Sequence, residues 1–514
     1  MKKFWKLLGF DPVAKQTSVK TEIVAGIVTF LAMAYILTVN PNSIFYAGTA
    51  DPRWPSLFIA TALGAIVGTL LMAFLAKMPL AQASGMGLNS LVGSIIGGGV
   101  GAFAYGFTFS LGQAFAMVLI SGLVFLLLSV VKIKGKTFRE LVFDGMPIAV
   151  RSAISVGIGL FIAYIGFQNA GIIVTNGYTQ VGFVDFTNWG DQTVNYLSAT
   201  GTWAAAKTAV VTLVGLFLIA LLDKLNVKGS VILGILGATL IGIPLGVTNL
   251  SVLDGTTPGI TWKFWESFAN FFSVGENSVF ASFTDVFKTG FPEGSLFTVI
   301  MLIVTMCMID MFDTMGTIVG CCGGNRVLSD ENNKPHNYGK IMMSDAVATC
   351  AGAVFGTSTV TTFVESGAGV SAGGRTGLTA FTTACLFFLS MFAMPLFAVI
   401  PGAATASALI YVGVLMMKNN IKSINLQDSI AATTAFLTIV VMPLSYSITK
   451  GIGVGMISYT LMSAVSYGVE MVKYAIAKKK AQEGVEPEKP EWNVSVVALV
   501  VTALFLVYFF VPTT

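Results

Sequence analysis

Charged residues are scarce along this chain, and that scarcity excludes most soluble proteins. Asp, Glu, Lys and Arg make up 11% of the 514 residues, whereas 55% are hydrophobic. A water-soluble domain of this length needs more polar surface than so few charges supply. Apolar stretches long enough to cross a bilayer recur from end to end, separated by short polar or Gly- and Pro-containing breaks. The composition predicts an all-α polytopic membrane protein, since a β-barrel would show ten-residue alternating segments.

Histidine, paired cysteines and nucleotide-binding loops are also missing or rare. The one histidine, His336, lies in a polar loop, and the five cysteines include no CxxC pair. We therefore expect no metal centre, disulfide framework or metal-dependent hydrolase. No GxxxxGK[ST] loop is present for ATP, which argues against a primary pump. We expect neither an enzyme nor a cofactor. The 29 Lys and Arg are spread over short loops, so nucleic acid is not an expected partner.

The apolar stretches predict fourteen membrane segments. Their expected bounds are residues 23–44, 56–76, 84–100, 112–131, 148–168, 205–222, 229–247, 297–320, 341–355, 366–373, 377–399, 402–417, 428–444 and 450–473. The basic loops between them fall on one side if the N-terminus is cytoplasmic, as the positive-inside rule requires. We therefore expect a multi-pass protein of the plasma (inner) membrane with a cytoplasmic N-terminus. A further apolar segment, 493–511, follows, and the sequence leaves open whether it spans.

The two halves of the chain repeat each other in order. "ASGMGL" (83–88) resembles "ESGAGV" (365–370), and "GMPIAVRSAISVG" (145–157) resembles "VIPGAATASALIYVG" (399–413). Glycine-rich membrane helices also resemble one another by composition alone, but the shared order favours a true repeat. Because seven segments per half is an odd number, the two copies must enter the membrane in opposite orientations. That arrangement is typical of secondary transporters.

The eighth segment carries carboxylates where an apolar helix would normally have none. Asp310, Asp313, Thr314 and Thr317 recur at i, i+3, i+4 and i+7, so they share one face of the helix. A seam of hydrogen bonds between helices is the simpler interpretation. Two carboxylates are costly at membrane depth, however, and we expect this face to line a cavity or binding site.

Two segments combine an extended piece with a short helix start. Residues 78–90 and 355–377 each place β-branched or irregular sequence before a Ser-Gly pair. Irregular backbone at membrane depth is tolerated where it lines a cavity, and paired broken segments indicate the substrate site of a transporter. We expect Ser84 and Ser366 to cap the two half-helices. Gly85 and Gly367 would allow a close backbone approach that an added β-carbon would crowd.

Three further acidic residues have open or simple interpretations. Asp345 is either a proton relay or an ordinary helix-end residue, and the sequence does not separate the two. Glu22 stands at a segment start, where an interfacial position is the simplest expectation. Glu365 precedes the second half-helix, where the helix dipole favours its ionised form and burial disfavours it.

Four motifs carry a resemblance over nearly the whole chain. "TEIVAGIVTFLAMAYILTVNP", "ASGMGLNS", "DMFDTMGT" and "GTSTVTTFVESGAGVSAGGRTGLTA", in this order, resemble the nucleobase/cation symporter family, in particular its AzgA-like branch of adenine, guanine and hypoxanthine permeases. The resemblance implies a 7+7 inverted repeat with short central strands before broken segments 3 and 10. It also implies proton-coupled uptake of a purine base, and a homodimer.

The resemblance further implies a division into a core domain and a gate domain. The expected parts are an N-terminal cytoplasmic segment (1–22), core segments 1–4 (23–131), gate segments 5–7 (148–247), core segments 8–11 (297–399), gate segments 12–14 (402–473) and a C-terminal tail (474–514).

Site residues follow from motif position together with the chemistry of a purine. The expected substrate site comprises Gly85, Met86, Asn89, Asp310, Asp313, Phe363, Glu365 and Ser366, and the expected proton-coupling groups are Asp310, Asp313, Asp345 and Glu365. Carboxylates accept from the N–H and amino groups of a base, half-helix N–H groups serve its acceptors, and Phe363, Phe312 or Tyr35 could pack on the ring. Whether Asp310 or Asp313 is the direct ligand stays open.

Other functions fit parts of the same pattern. A carrier of pyrimidines, xanthine or a small anion would share the repeat and differ in the polar residues around Glu365. A cation channel could be lined by the same carboxylates, but it does not require paired broken helices. The proposed site has no cluster of Arg and Lys, so nucleotides are not expected substrates. The preferred purine, and H⁺ or Na⁺ as the coupling ion, remain open.

Overall fold

The fold is seen in a computed structural model. It describes residues 10, 16–45, 48–96, 107–133, 136–137, 145–176, 180–186, 205–227, 229–254, 260–272, 278–280, 286, 289–322, 325–329, 335–480, 488–492 and 494–510. Most of the expected N-terminal segment 1–22 thus lies outside the described residues.

Helices occupy every predicted membrane segment. Those of the first half are α1 (Val19–Met33), α2 (Ile36–Ile44), α3 (Trp54–Leu71), α4 (Met86–Ile96), α5 (Leu111–Val130), α6 (Ile148–Asn169), α7 (Ala205–Lys224) and α8 (Ser230–Gly242). An amphipathic helix, α9 (Phe264–Phe272), precedes the second half. The second half contains α10 (Leu296–Cys322), α11 (Tyr338–Phe355), α12 (Ser366–Ser371), α13 (Gly377–Ser390), α14 (Met394–Ala398), α15 (Gly402–Asn420), α16 (Ser429–Leu444) and α17 (Ile448–Lys480), and the apolar segment beyond it forms α18 (Val496–Phe510).

Length and composition agree with a membrane protein. In the described part of the chain, eight helical spans are long and apolar enough to cross a bilayer, and five shorter apolar helices accompany them. The first of these spans, Val19–Ile44, joins α1 and α2 across a short interruption at Ala34 and Tyr35. There the hydrogen bonds change to the tighter 3₁₀ pattern. The N–H groups of Leu37 and Thr38 donate to the carbonyls of Ala34 and Tyr35, three residues earlier.

Short strands confirm the predicted interruption of segments 3 and 10. β1 (Gln82–Ser84) precedes α4, and β6 (Val360–Thr362) precedes α12. The two strands pair antiparallel and are fully buried, so each satisfies the backbone groups of the other. Equivalent strands from two inverted copies must run in opposite directions, and these strands do. The other short pairs are β2 (Lys132–Ile133) with β3 (Lys136–Thr137), and β4 (Ile173–Asn176) with β5 (Gln180–Phe183).

Helix packing around the strand pair repeats in the same inverted order. In the first half α1 and α3 pack on α13, and in the second half α10 and α11 pack on α5. The equivalent helices α3 and α11 pack on each other. Glycines permit these close contacts: a β-carbon on Gly26 of α1 would lie 2.6 Å from the carbonyl of Thr379, and one on Gly122 of α5 would lie 3.1 Å from the nitrogen of Cys350. The repeat inferred from the sequence is thus present in the packing.

The chain forms two compact units. The first contains Met1–Val130 and Ile162–Val414, and the second contains Val131–Phe161 and Leu415–Thr514. In the first unit α7 packs on α8, and α8 also contacts α1. In the second unit α17 packs on both α16 and α18. The hydroxyls of Thr460 and Thr502, 2.8 Å apart, join α17 to α18. The strand pair and the predicted site residues all belong to the first unit.

Candidate functional site

The antiparallel strands bring the two half-helix starts together. Ser84 stands opposite Val360 in the ladder, and the next N–H, that of Gly85, donates to the carbonyl of Thr359 at 2.9 Å. On the other side, the N–H of Ala81 donates to the hydroxyl of Ser366 at 3.0 Å. The starts of α4 and α12 therefore approach each other deep in the protein, as a site built by inverted repeats requires.

The predicted capping roles of the two serines are wrong. Glu365, not Ser366, holds the N-cap position of α12, and its side chain makes no capping hydrogen bond. The hydroxyl of Ser366 instead accepts from the N–H of Ala81, the residue before β1, and that of Ser84 pairs with the hydroxyl of Thr357 at 2.8 Å. A buried backbone N–H needs a hydrogen-bond partner as much as a helix end does, and Ser366 is the partner of Ala81.

Glu365 is the central carboxylate of the site. It is buried, and its Oε1 accepts a 2.5 Å hydrogen bond from the hydroxyl of Tyr35. Its other oxygen, Oε2, is buried without a hydrogen-bond partner among the described residues. One oxygen is thus held by Tyr35, and the other has no hydrogen-bond partner among the described residues.

The two aspartates of α10 have different neighbours. Asp310 is fully buried, and its Oδ2 accepts from the hydroxyl of Thr349 on α11 at 3.0 Å. Asp313 is half-buried and close enough to Glu365 for their charges to interact. Cys321, near the end of the same helix, also lies near Glu365 and donates to the carbonyl of Val364 at 3.4 Å. The charge of Asp313 therefore interacts with that of the central carboxylate.

Asp345 is no ordinary helix-end residue. It is fully buried on α11, and Oδ1 accepts from Gln82 Nε2 of β1 at 2.8 Å and from the Thr362 hydroxyl of β6 at 3.3 Å. Its Oδ2 accepts from the hydroxyl of Thr314 on α10 at 2.8 Å. Several donors converging on one carboxylate offset the loss of water around it. Asp345 thus ties both strands to the helix that carries Asp313.

The remaining predicted residues surround the same place. Asn89 is fully buried; its Oδ1 accepts from the hydroxyl of Ser358, while its Nδ2 reaches the carbonyl of Ser84 only at 3.5 Å. Met86 begins α4, and its sulfur lies 3.6 Å from the Tyr35 hydroxyl. Phe363 is buried directly after β6. The side chain of Phe312 lies outside the described part of the chain.

The two predicted close-approach glycines differ. A β-carbon on Gly85 would lie 2.3 Å from the Thr361 methyl group, so that position is crowded as expected. On Gly367 the nearest atom would be the Cys321 sulfur at 3.6 Å, an ordinary contact, and the prediction of crowding there is wrong. The tight glycine of α12 is Gly369, where a β-carbon would meet the Thr29 hydroxyl oxygen at 2.0 Å. The sequence did not single this residue out, because its neighbour comes from α1.

Glu22 has a role that the sequence does not reveal. It is completely buried rather than interfacial, and its Oε1 accepts from the N–H of Arg375 at 2.9 Å. Its Oε2 accepts from the Thr379 hydroxyl at 2.6 Å and from the N–H of Thr376 at 3.3 Å. A carboxylate from α1 therefore binds the N-terminus of α13 and the connection that follows α12. An acid in the first turn of a helix ordinarily serves its own helix, so no sequence signal marks this contact.

Comparison with known proteins places the chain in a family. A model described as Permease family (Xan_ur_permease) matches residues 20–454. The chain belongs to this permease family. The resemblance inferred from the four motifs is thereby confirmed, and the chain is an integral membrane transporter rather than an enzyme.

Individual relatives are similar over most of their length. The chain is 36% identical over 452 residues to the guanine/hypoxanthine permease PbuO of Bacillus subtilis (strain 168), covering 88% of this chain and 93% of that protein. It is 32% identical over 447 residues to the adenine permease AdeP of Escherichia coli (strain K12), covering 87% of each. Among solved structures, the transmembrane domain of a cyanobacterium bicarbonate transporter, BicA, gives a TM-score of 0.56 at 16% identity over 85% of this chain and 96% of that one. This likeness supports the permease fold alone.

Proposed function

We propose that this permease imports purine nucleobases, namely adenine, guanine or hypoxanthine, together with protons by alternating access. The observation that carries the proposal is the buried Oε2 of Glu365, which has no hydrogen-bond partner among the described residues and lies beside a second carboxylate, Asp313. A base presenting N–H and amino groups supplies the donors that this pair of acids needs. Relatives named as guanine/hypoxanthine and adenine permeases support the substrate class.

The site offers a partner for each part of a purine. Glu365 and Asp313 accept from the donors at the edge of the ring. The Asn89 amide, whose Nδ2 makes one long contact, to Ser84, among the described residues, donates to a ring nitrogen or carbonyl. The first N–H group of α4, at Met86, serves a remaining acceptor. The Phe363 ring packs against the base.

Asp313 rather than Asp310 is assigned as the second direct ligand. The Asp310 carboxylate already receives the Thr349 hydroxyl on the side of α11, whereas Asp313 lies near Glu365. Two carboxylates close together in a site of low dielectric constant cannot both stay ionised at low cost. A proton taken up with the base removes that repulsion, which couples the two solutes.

We assign the moving parts by the division expected from the sequence. Residues 23–131 and 297–399 are assigned to the core that carries the site, and 148–247 and 402–473 to the gate. We assign the protein to the plasma membrane with a cytoplasmic N-terminus, in agreement with the basic loops between segments. A homodimer is the expected assembly.

Uptake into vesicles tests this function. Proteoliposomes holding the full chain would be given labelled hypoxanthine under an imposed pH gradient, with unlabelled adenine, guanine, xanthine and uracil as competitors. Accumulation that collapses with the pH gradient and is blocked by purines supports the proposal. Competition by uracil or xanthine alone would instead identify a carrier of those bases. Flux without accumulation would indicate a channel, and a Na⁺ gradient that replaces the pH gradient would refute proton coupling.

A further inference from the structure

Three interrupted elements meet at the hydroxyl of Tyr35. Tyr35 lies at the junction of α1 and α2, where the first membrane helix is interrupted, and its side chain is 1% exposed. Its hydroxyl lies 2.5 Å from Oε1 of Glu365 at the start of α12. The same hydroxyl lies 3.6 Å from the sulfur of Met86 at the start of α4. One buried O–H thus contacts the half-helix starts of both repeats.

The Tyr35 hydroxyl has one proton and can donate it either to Oε1 of Glu365 or to the sulfur of Met86. A carboxylate oxygen accepts a hydrogen bond far more strongly than a thioether sulfur, so Glu365 Oε1 takes the proton and Met86 packs beside it. With Oε1 held in this way, the carboxyl group cannot rotate freely, and Oε2 keeps one direction. Oε2 is the oxygen without a hydrogen-bond partner among the described residues. The two oxygens of Glu365 therefore differ: Oε1 is bound by Tyr35, whereas Oε2 keeps its capacity to accept another hydrogen bond.

We propose that Tyr35 is a positioning residue for Glu365: its hydroxyl holds Oε1, so that Oε2 binds the base and takes up the coupled proton. This inference rests on the proposed nucleobase transport and adds a residue to it. The proton enters and leaves on Oε2, while the Tyr35 proton stays on its own oxygen throughout.

Titratable groups near this pairing lie on α10 and on α1. The titratable side chains near Glu365 on α10 are Asp313 and Cys321. The sequence of α4 contains none. On α1, which packs on α12, the buried acid Glu22 is bound to the α12–α13 connection and to Thr379. A pH effect of losing the Tyr35 hydroxyl would therefore act through Glu365 and its neighbour Asp313.

The test is a double-mutant cycle on the full chain in proteoliposomes. Tyr35→Phe, Glu365→Gln and the double variant are compared with wild type in hypoxanthine binding, proton-driven accumulation and pH profile. Tyr35→Phe keeps the ring and should weaken binding about 10-fold, because Oε2 of Glu365 is no longer held in one direction. Its uptake profile should move to higher pH, because the ionised carboxylate has lost a donor. In the Glu365→Gln background the same change should have far less effect, since Tyr35 acts through that carboxylate.

Control variants separate positioning from general damage. Tyr164→Phe removes another hydrogen-bonded tyrosine hydroxyl, whose partner Gln168 is on the same helix, and should leave both binding and pH profile unchanged. Met86→Leu keeps the volume without the sulfur and should have a smaller effect than Tyr35→Phe. Wild-type binding and an unmoved pH profile in Tyr35→Phe would overturn the inference, as would equal losses in both Glu365 backgrounds. Wild-type protein that binds no purine would instead overturn the proposed function, and this inference with it.

Discussion

Gln82 and Thr362 lie opposite each other in the β1–β6 ladder, and both donate to the same carboxylate oxygen, Oδ1 of Asp345. One residue comes from each repeat, so a single buried acid on α11 joins the two halves at the point where they cross. Since the half-helices α4 and α12 start from these strands, Asp345 controls the geometry of the site without being placed among its ligands.

Asp345→Asn should therefore destabilise the protein more than an ordinary surface change. The new amide group would face one of the donors of Gln82, Thr314 or Thr362, leaving that donor buried and unsatisfied. We expect a loss of about 2–4 kcal/mol in the free energy of unfolding, seen as a lower thermal midpoint of the purified protein. Glu266→Gln, which removes an exposed partner of Lys263, is the control and should change the midpoint little. Equal midpoints for the two variants would contradict the anchoring role.

Substitution of the two aspartates of α10 should affect different properties, purine binding for Asp313 and stability for Asp310. Asp313→Asn should weaken purine binding by roughly 10-fold or more, because it removes a charged acceptor beside Glu365. Asp310→Asn should act first on stability, because its partner is Thr349 on α11. Binding and thermal unfolding, measured on the same preparations, check this assignment. The reverse result, with binding lost only in Asp310→Asn, would make Asp310 the direct ligand.

Two glycines of α12 form a matched pair for the packing of this half-helix. Gly369→Ala would place a carbon 2.0 Å from the Thr29 hydroxyl oxygen and 2.9 Å from the carbonyl of Ala25, so α12 must shift away from α1. Gly367→Ala finds only an ordinary contact, 3.6 Å from the Cys321 sulfur. We expect hypoxanthine uptake to fall at least tenfold in the first variant and to persist in the second, with both proteins inserted in the membrane. Similar uptake in the two would show that α12 is not fixed by α1.

Glu22→Gln tests the contact at the far end of α12. The Gln amide oxygen can still accept, but its NH₂ group would meet a backbone N–H of Arg375 or Thr376, or the Thr379 hydroxyl. We expect a loss of about 1–3 kcal/mol in stability together with reduced uptake, because the connection after α12 is no longer held. Thr379→Val removes one donor and should have a smaller effect in the same direction. Unchanged thermal unfolding in Glu22→Gln would show that the contact contributes nothing.

The sequence by itself determined the membrane class, the segment positions and the repeat. Those features depend on properties read along the chain: apolar length, the order of glycine motifs and the odd number of segments per half. The same information predicted that the residues around Ser84 and Ser366 would meet, because broken segments at equivalent places in inverted copies share one centre.

The tertiary structure alone decided which partner each polar group takes. Asp310 and Asp313 share a helix face, yet one receives Thr349 and the other approaches Glu365. Tyr35 lies in an apolar stretch of the sequence, yet its hydroxyl donates to Glu365, which is 330 residues away along the chain. Glu22 is buried against α13, and Gly369 rather than Gly367 is the crowded glycine. A buried hydrogen bond or close contact depends on separations of a few tenths of an ångström between distant parts of the chain, and local periodicity carries no information about them.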